Sequence, residues 1–209
     1  IIISFLIGYG TNYIVNLIND IINNNKKLHD DTNEKKFIKN DHNQVCIHEA
    51  GHAVMLKYFD YDIKNVKFTY DDYNKLIGGE AVYTRYNLTA SHEKDIMILF
   101  GGIVAEMIFF NRSNPINSKS DLSCIKEIVI SLSHNNYLHH MSYNKSDGFD
   151  PSSFFKYNFS DIEKNILYTL YHKTKDIIKA NRNKTYRIAI KLSEDKNIDS
   201  KGINKIWHE

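Results

Sequence analysis

Hydrophobic and polar positions change their period several times along the chain, and each change marks an expected element. Val45, Ile47, Ala50, Ala53, Val54 and Met55 surround a short polar group and predict a largely apolar, buried helix. Val66, Phe68 and Tyr70 then alternate with Lys67 and Thr69, the period of a half-buried strand. Residues 71–74 read as a turn and residues 78–85 as a second strand, so a small hairpin is expected. A strand with an open edge can also add an extended peptide through backbone bonds. A simple structural hairpin explains the same pattern.

Helical spacing returns over residues 91–110, where Ile96, Leu99, Phe100, Ile103, Val104, Met107 and Ile108 recur. Ser91 is the expected N-cap, with Glu93 and Asp95 in the first turn. Two adjacent glycines cost helix stability, so Gly101 and Gly102 imply a packing reason. With Ala105 they form a flat strip that matches Ala50, Gly51 and Ala53 of the first helix, and the two helices are expected to pack closely. Residues 111–120 read as a loop and a further helix starts at Asp121, with Ser118-x-x-Asp121 fitting a capping box. Residues 131–159 look irregular.

Ser160 to Glu163 form another capping box, opening a long helix with Ile162, Ile166, Leu170, Ile177 and Ile178 near one face. A helix with Ile188, Ile190 and Leu192 follows. Asp199 or Ser200 caps a short last one carrying Ile203, Ile206 and Trp207. The expected class is mainly α (α+β), with a small β hairpin or sheet and a C-terminal helical bundle. Residues 1–42 divide into an apolar segment and a polar linker, residues 43–150 form the core, and residues 151–209 a helical region packed on it. The apolar segment, residues 1–22, is interrupted by Asn12, Asn16, Asn19 and Asp20, too polar and short for a complete membrane span. Membrane association and docking on the domain explain it equally well. The first residue is Ile, which predicts a processed or truncated N-terminus.

Composition narrows the field further. The 209 residues carry a formal charge of +2, which gives no electrostatic case for nucleic acid. With 42% hydrophobic residues the chain can build a real core, and 2 Pro with 9 Gly favour helices over a β-sandwich. Two cysteines, Cys46 and Cys124, do not make a disulfide framework, so a reducing, intracellular compartment is expected.

The polar group inside the first apolar helix is His48-Glu49-x-x-His52. Residues four apart share a helical face, so both imidazoles point at one place, as two ligands of a tetrahedral Zn²⁺ must. Glu49 lies about 100° round the helix, where it flanks the ion without ligating it and can take a proton from a water there. A buried His-Glu-His group needs a partner, which argues against chance spacing on a solvated face. A catalytic zinc takes three protein ligands. Spacing alone leaves Asp121, Glu80, Glu106 and the His139-His140 pair open for the third, although adjacent histidines point apart on a helix. Glu106 is also a candidate partner behind a zinc histidine. His29 and His42 read as solvated bystanders.

The order of these features resembles the peptidase domain of FtsH-type membrane-bound AAA proteases. The resemblance runs from about residue 43 to residue 206. It is carried by His48-Glu49-Ala50-Gly51-His52-Ala53, by Phe100-Gly101-Gly102-Ile103-Val104-Ala105-Glu106, by Ser120-Asp121-Leu122, and by a tail with Asn181-Arg182-Asn183-Lys184 and Ile198-Asp199-Ser200-Lys201-Gly202. It implies a zincin-like helical peptidase domain, Asp121 as the third zinc ligand, unfolded or flexible polypeptides as substrates, and a homo- or hetero-oligomeric ring as the assembly. The chain departs from the family in two places. No Gly-x-x-x-x-Gly-Lys-[Ser/Thr] phosphate loop is present, which leaves three readings open: the chain is a fragment, it works without ATP on loose substrates, or a partner supplies the ATPase motor. Asn117, Ser118 and Lys119 replace the family's Thr-Gly-Ala. The reading is a zinc metalloendopeptidase with Glu49 as general base. Its rival is a non-catalytic FtsH-like subunit or adaptor that keeps the fold and joins a ring.

Overall fold

The computed structural model describes residues 31–38, 43–74, 76–84, 91–134 and 149–209. The chain divides into two units, Ile1–Lys39 and Asn40–Glu209. Readings of residues 1–22, His29, His42 and the His139-His140 pair lie outside the described residues. In the first unit, residues expected as linker form a helix, α1 (Asp31–Ile38). Glu and Lys are good helix formers, and Lys35 and Lys36 fall in the last turn, where the helix dipole favours cations.

The second unit is mostly helical with one small antiparallel sheet. Its elements run α2 (Asn43–Tyr58), β1 (Asp62–Tyr70), β2 (Leu76–Thr84), α3 (His92–Phe110), α4 (Lys119–His134), a 3₁₀ turn (Pro151–Phe154), α5 (Asp161–Ala180), α6 (Arg182–Asp195), β3 (Asn197–Asp199) and α7 (Ser200–His208). Twelve of the 16 residues of α2 are buried, the signature of a central helix. α3 and α6 pack against α2, the sheet leans on it, and α5 packs on α3.

The small-residue strip brings α2 and α3 into backbone contact. A Cβ placed on Gly51 would sit 2.2 Å from the Gly101 carbonyl oxygen, and one on Gly101 would sit 2.7 Å from the Gly51 oxygen. No side chain fits between the helices there. Around this contact Ile47, Val54, Phe100, Ile103 and Val104 are fully buried.

Among the described residues the sheet order is β2-β1-β3, which puts β2 at an edge. The expected hairpin forms, with Val66 opposite Ala81 and Phe68 opposite Gly79. Tyr70, read as part of the buried face of its strand, is 47% exposed at the end of the hairpin. β3 was not foreseen. Its three residues are too few to show a period, and pairing of Val66 with Ile198 fixes them. Lys196 ends α6 in the left-handed region, and its carbonyl accepts from Phe68 N–H at 3.1 Å, which turns the chain into β3.

The caps divide between forecast and correction. Ser160 and Glu163 form the full capping box, and Asp199 caps α7 through Gly202 N–H at 2.8 Å. Ser91 is the N-cap of α3, but its carbonyl rather than its side chain accepts the helix amides. At α4 the expected box does not form: Ser118 Oγ is buried without a partner and Asp121 turns elsewhere. Ile162 is 42% exposed at the start of α5, whereas Ile166, Leu170 and Ile178 are buried as expected, joined by Leu167 and Tyr171. Among the described residues no helix is long and apolar enough to cross a membrane.

Replacing Gly51 with Ala must push α2 and α3 apart or displace both chains. The expected loss is about 2–3 kcal/mol. It would be read as a lower urea midpoint with an unchanged slope.

Candidate metal centre

His48 and His52 stand one turn apart on α2, and both side chains are buried. Their rings meet edge to face, with centroids 4.7 Å apart. The two Nε2 atoms are 3.0 Å apart. Asp121, in the first turn of α4, brings Oδ2 to 3.0 Å from His48 Nε2 and 3.4 Å from His52 Nε2. These three atoms form a triangle with edges of 3.0, 3.0 and 3.4 Å. Ligand atoms about 2.0–2.1 Å from a tetrahedral zinc are separated by about 3.3 Å. The donor set, two imidazoles and one carboxylate, is therefore the right chemistry at the right spacing for a metal ion.

The far side of each ring is fixed as well. His52 Nδ1 lies 2.8 Å from the Ile98 carbonyl oxygen. A carbonyl only accepts, so Nδ1 donates its proton and Nε2 is left to face Asp121. His48 Nδ1 donates to Glu106 Oε1 at 2.8 Å. Both tautomers thus present Nε2, as ligating histidines do. Gly102 makes room for the His48 ring: a Cβ there would lie 2.6 Å from ring atoms Cε1 and Nε2.

The carboxylates separate into distinct roles. Glu106 is fully buried behind His48 and also accepts from Gln44, Asn114 and Asn117. Glu49 is 5% exposed and packs against the backbone of β2, where a Cβ on Gly79 would lie 2.6 Å from Glu49 Cγ. Burial, opposed by the two histidines, pushes its pKa above the ordinary carboxylate value. Glu80 is half exposed on β2 and pairs with Lys67 at 2.9 Å, outside the histidine cluster. Of the candidate third ligands among the described residues, only Asp121 is brought to both Nε2 atoms.

Burial opposes the charged form of His48, but its bonds to Asp121 and Glu106 outweigh burial and lift the pKa to about 10. Burial likewise opposes charging of His52, and Asp121 reverses it upward. Burial would raise the pKa of Asp121, yet the facing imidazoles hold it well below the usual range.

A cleft of about 430 Å³ opens beside the cluster. One wall is β2 at Gly79, Glu80, Ala81 and Tyr83; Leu56, Ile98, Leu99 and Ile128 make it apolar deeper in. Cys124, a turn beyond Asp121, lies on its rim and is exposed, while Cys46 is buried in the core with its thiol pushed up to about 12, chiefly by burial. Sequence reasoning missed Gln44, Asn117, Gly79 and the Ile98 carbonyl. Gln44 was findable, because it lies one turn before His48 on the same face. The other three depend on contacts distant in sequence.

Asp121→Ala should abolish stoichiometric zinc uptake, and Glu80→Ala should leave it intact; metal analysis of both purified variants checks this. Zinc must also expel the proton held by the raised-pKa histidines. Its apparent Kd should therefore rise about tenfold per unit of falling pH between about pH 9 and about pH 7 for each proton released. Calorimetry in buffers of different ionisation enthalpy would count those protons. No protein-family model matches the chain, and no curated protein matches it either.

Proposed function

We propose that the chain is a zinc-dependent metalloendopeptidase of the FtsH-like, zincin type, cleaving unfolded or flexible polypeptides. The observation that carries this reading is the convergence of His48 Nε2, His52 Nε2 and Asp121 Oδ2 beside a buried Glu49 at the mouth of a cleft. His48, His52 and Asp121 would hold the ion. When bound, Zn²⁺ lowers the pKa of a water toward about 7 and polarises the scissile carbonyl.

The remaining work belongs to the chain's own residues. Glu49 takes the proton from the attacking water and later delivers it to the leaving amine. Its desolvated position raises its proton affinity, which suits a base that must hold that proton between the two steps. Gly79 leaves Glu49 room against the strand. Among the described residues β2 is an edge strand, and its residues 79–81 and 83 line the cleft, which suits binding of an extended chain through backbone groups, nearly blind to side chains. Loose segments adopt that extended form most readily, which favours flexible or unfolded substrates.

Glu49→Gln keeps the shape of the side chain and removes its basicity. The variant should bind zinc like the wild type and cleave casein about 10²–10⁴-fold more slowly. Wild-type turnover in a zinc-loaded Glu49→Gln preparation would sink the peptidase reading.

A further inference from the structure

The buried carboxylate of Glu106 collects donors from two directions. From α2 come Gln44 Nε2, 3.0 Å from Oε2, and His48 Nδ1, 2.8 Å from Oε1. From the loop after α3 come the Asn114 backbone N–H, donating to Oε2, and Asn117 Nδ2, 3.2 Å from Oε1. Asn117 therefore shares one carboxylate oxygen with His48. It stands four residues before Asp121 and lines the cleft.

The chain between Asn117 and Asp121 is regular. Ser118 N–H donates to the Asn114 carbonyl at 3.1 Å, and Leu122 N–H donates to the Ser118 carbonyl at 2.9 Å. The turn thus runs directly into the first turn of α4. Any shift of Asn117 is passed to Asp121 through one short, hydrogen-bonded stretch.

We infer that Asn117 is a positioning residue for the metal centre: by donating to the Glu106 oxygen that also receives His48, it sets the separation of the Asp121 ligand on α4 from the imidazole ligand on α2. The inference rests on the metal reading above. A buried carboxylate left short of donors is costly, so Glu106 holds its partners in place rather than merely tolerating them. Gln44 and His48 fix Glu106 to α2, while Asn114 and Asn117 fix the loop to Glu106. The carboxylate is the common origin from which both ligands are measured. Removing the Asn117 amide leaves Asn114 as the loop's tie to Glu106, beside the weaker 3.4 Å bond from Gln44 to the Arg112 carbonyl, and loosens Asp121 relative to the histidines.

The test uses the whole chain as wild type, Asn117→Leu, Glu106→Gln and the double variant. Zinc Kd is measured by competition with a chelating dye, the visible spectrum is recorded with Co²⁺ in place of zinc, and each metal-free protein is melted. Asn117→Leu should weaken zinc about tenfold or more, the size expected for a partner behind a ligating histidine, and should shift the Co²⁺ bands. In the Glu106→Gln background the same substitution should add less than about threefold, because its route to the histidine is already altered. If Asn117→Leu does not fold, Asn117→Ala is measured identically and decides the matter. An unchanged zinc Kd, an unchanged Co²⁺ spectrum with only a lower melting temperature, or full additivity in the double variant would each overturn the role of Asn117. A wild type that takes up neither metal overturns the metal reading, and this inference with it; tight wild-type binding that Asn117→Leu leaves intact overturns this inference alone.

Discussion

Backbone contact between two helices at Gly51 and Gly101 sets the geometry of everything around the histidines. A Cβ at either position would overlap the facing carbonyl, so α2 and α3 meet backbone to backbone at this point. That closeness has three consequences along one interface. Gly102 meets the flat of the His48 ring, Glu106 reaches His48 Nδ1, and the Ile98 carbonyl reaches His52 Nδ1. The positions 98, 102 and 106 recur every four residues on α3, opposite histidines spaced by four on α2. Both helices carry the same period, so one close crossing orients both rings.

Three carboxylates crowd this interface, and their surroundings divide the work among them. Asp121 faces two imidazoles and is held ionised. Glu49 has fewer compensating neighbours than its burial demands, and its proton affinity rises. Glu106 lies deepest and is supplied with donors on both oxygens. In the proposed reading the same side-chain chemistry would serve as ligand, as base and as anchor, and what differs is the set of donors and charges each one meets.

Much of this was legible in the sequence where the signal was local. The spacing of His48 and His52, the small-residue strip and the box at Ser160 act within one or two turns and appear as read, and the alternation of β1 holds at Val66 and Phe68 though not at Tyr70. The signals that failed were also local, but other contacts overrode them. Ser118-x-x-Asp121 has the form of a capping box, yet Asp121 gains more from two imidazoles than from one helix amide, so the box stays open. Ile162 has the right spacing to bury, but at the start of α5 it stays exposed while its neighbour Glu163 turns inward to the capping box. β3 is three residues long, and only the partner strand defines it. The choice among Asp121, Glu80 and Glu106 lay beyond spacing, because it depends on where α4, β2 and α3 stand in space.

The charge balance of the cluster follows from the same packing. Two imidazole nitrogens at 3.0 Å repel if both lone pairs are bare, and a buried carboxylate beside them needs a cation. Burial opposes a charged His48, but its bonds to Asp121 and Glu106 outweigh burial and push its pKa up. In the proposed reading a divalent ion would answer the same demand at all three atoms. The folded chain therefore carries a site whose geometry is set by helix packing and whose charge calls for a cation. The ordering entropy of the ligands is spent in folding rather than at the moment of binding.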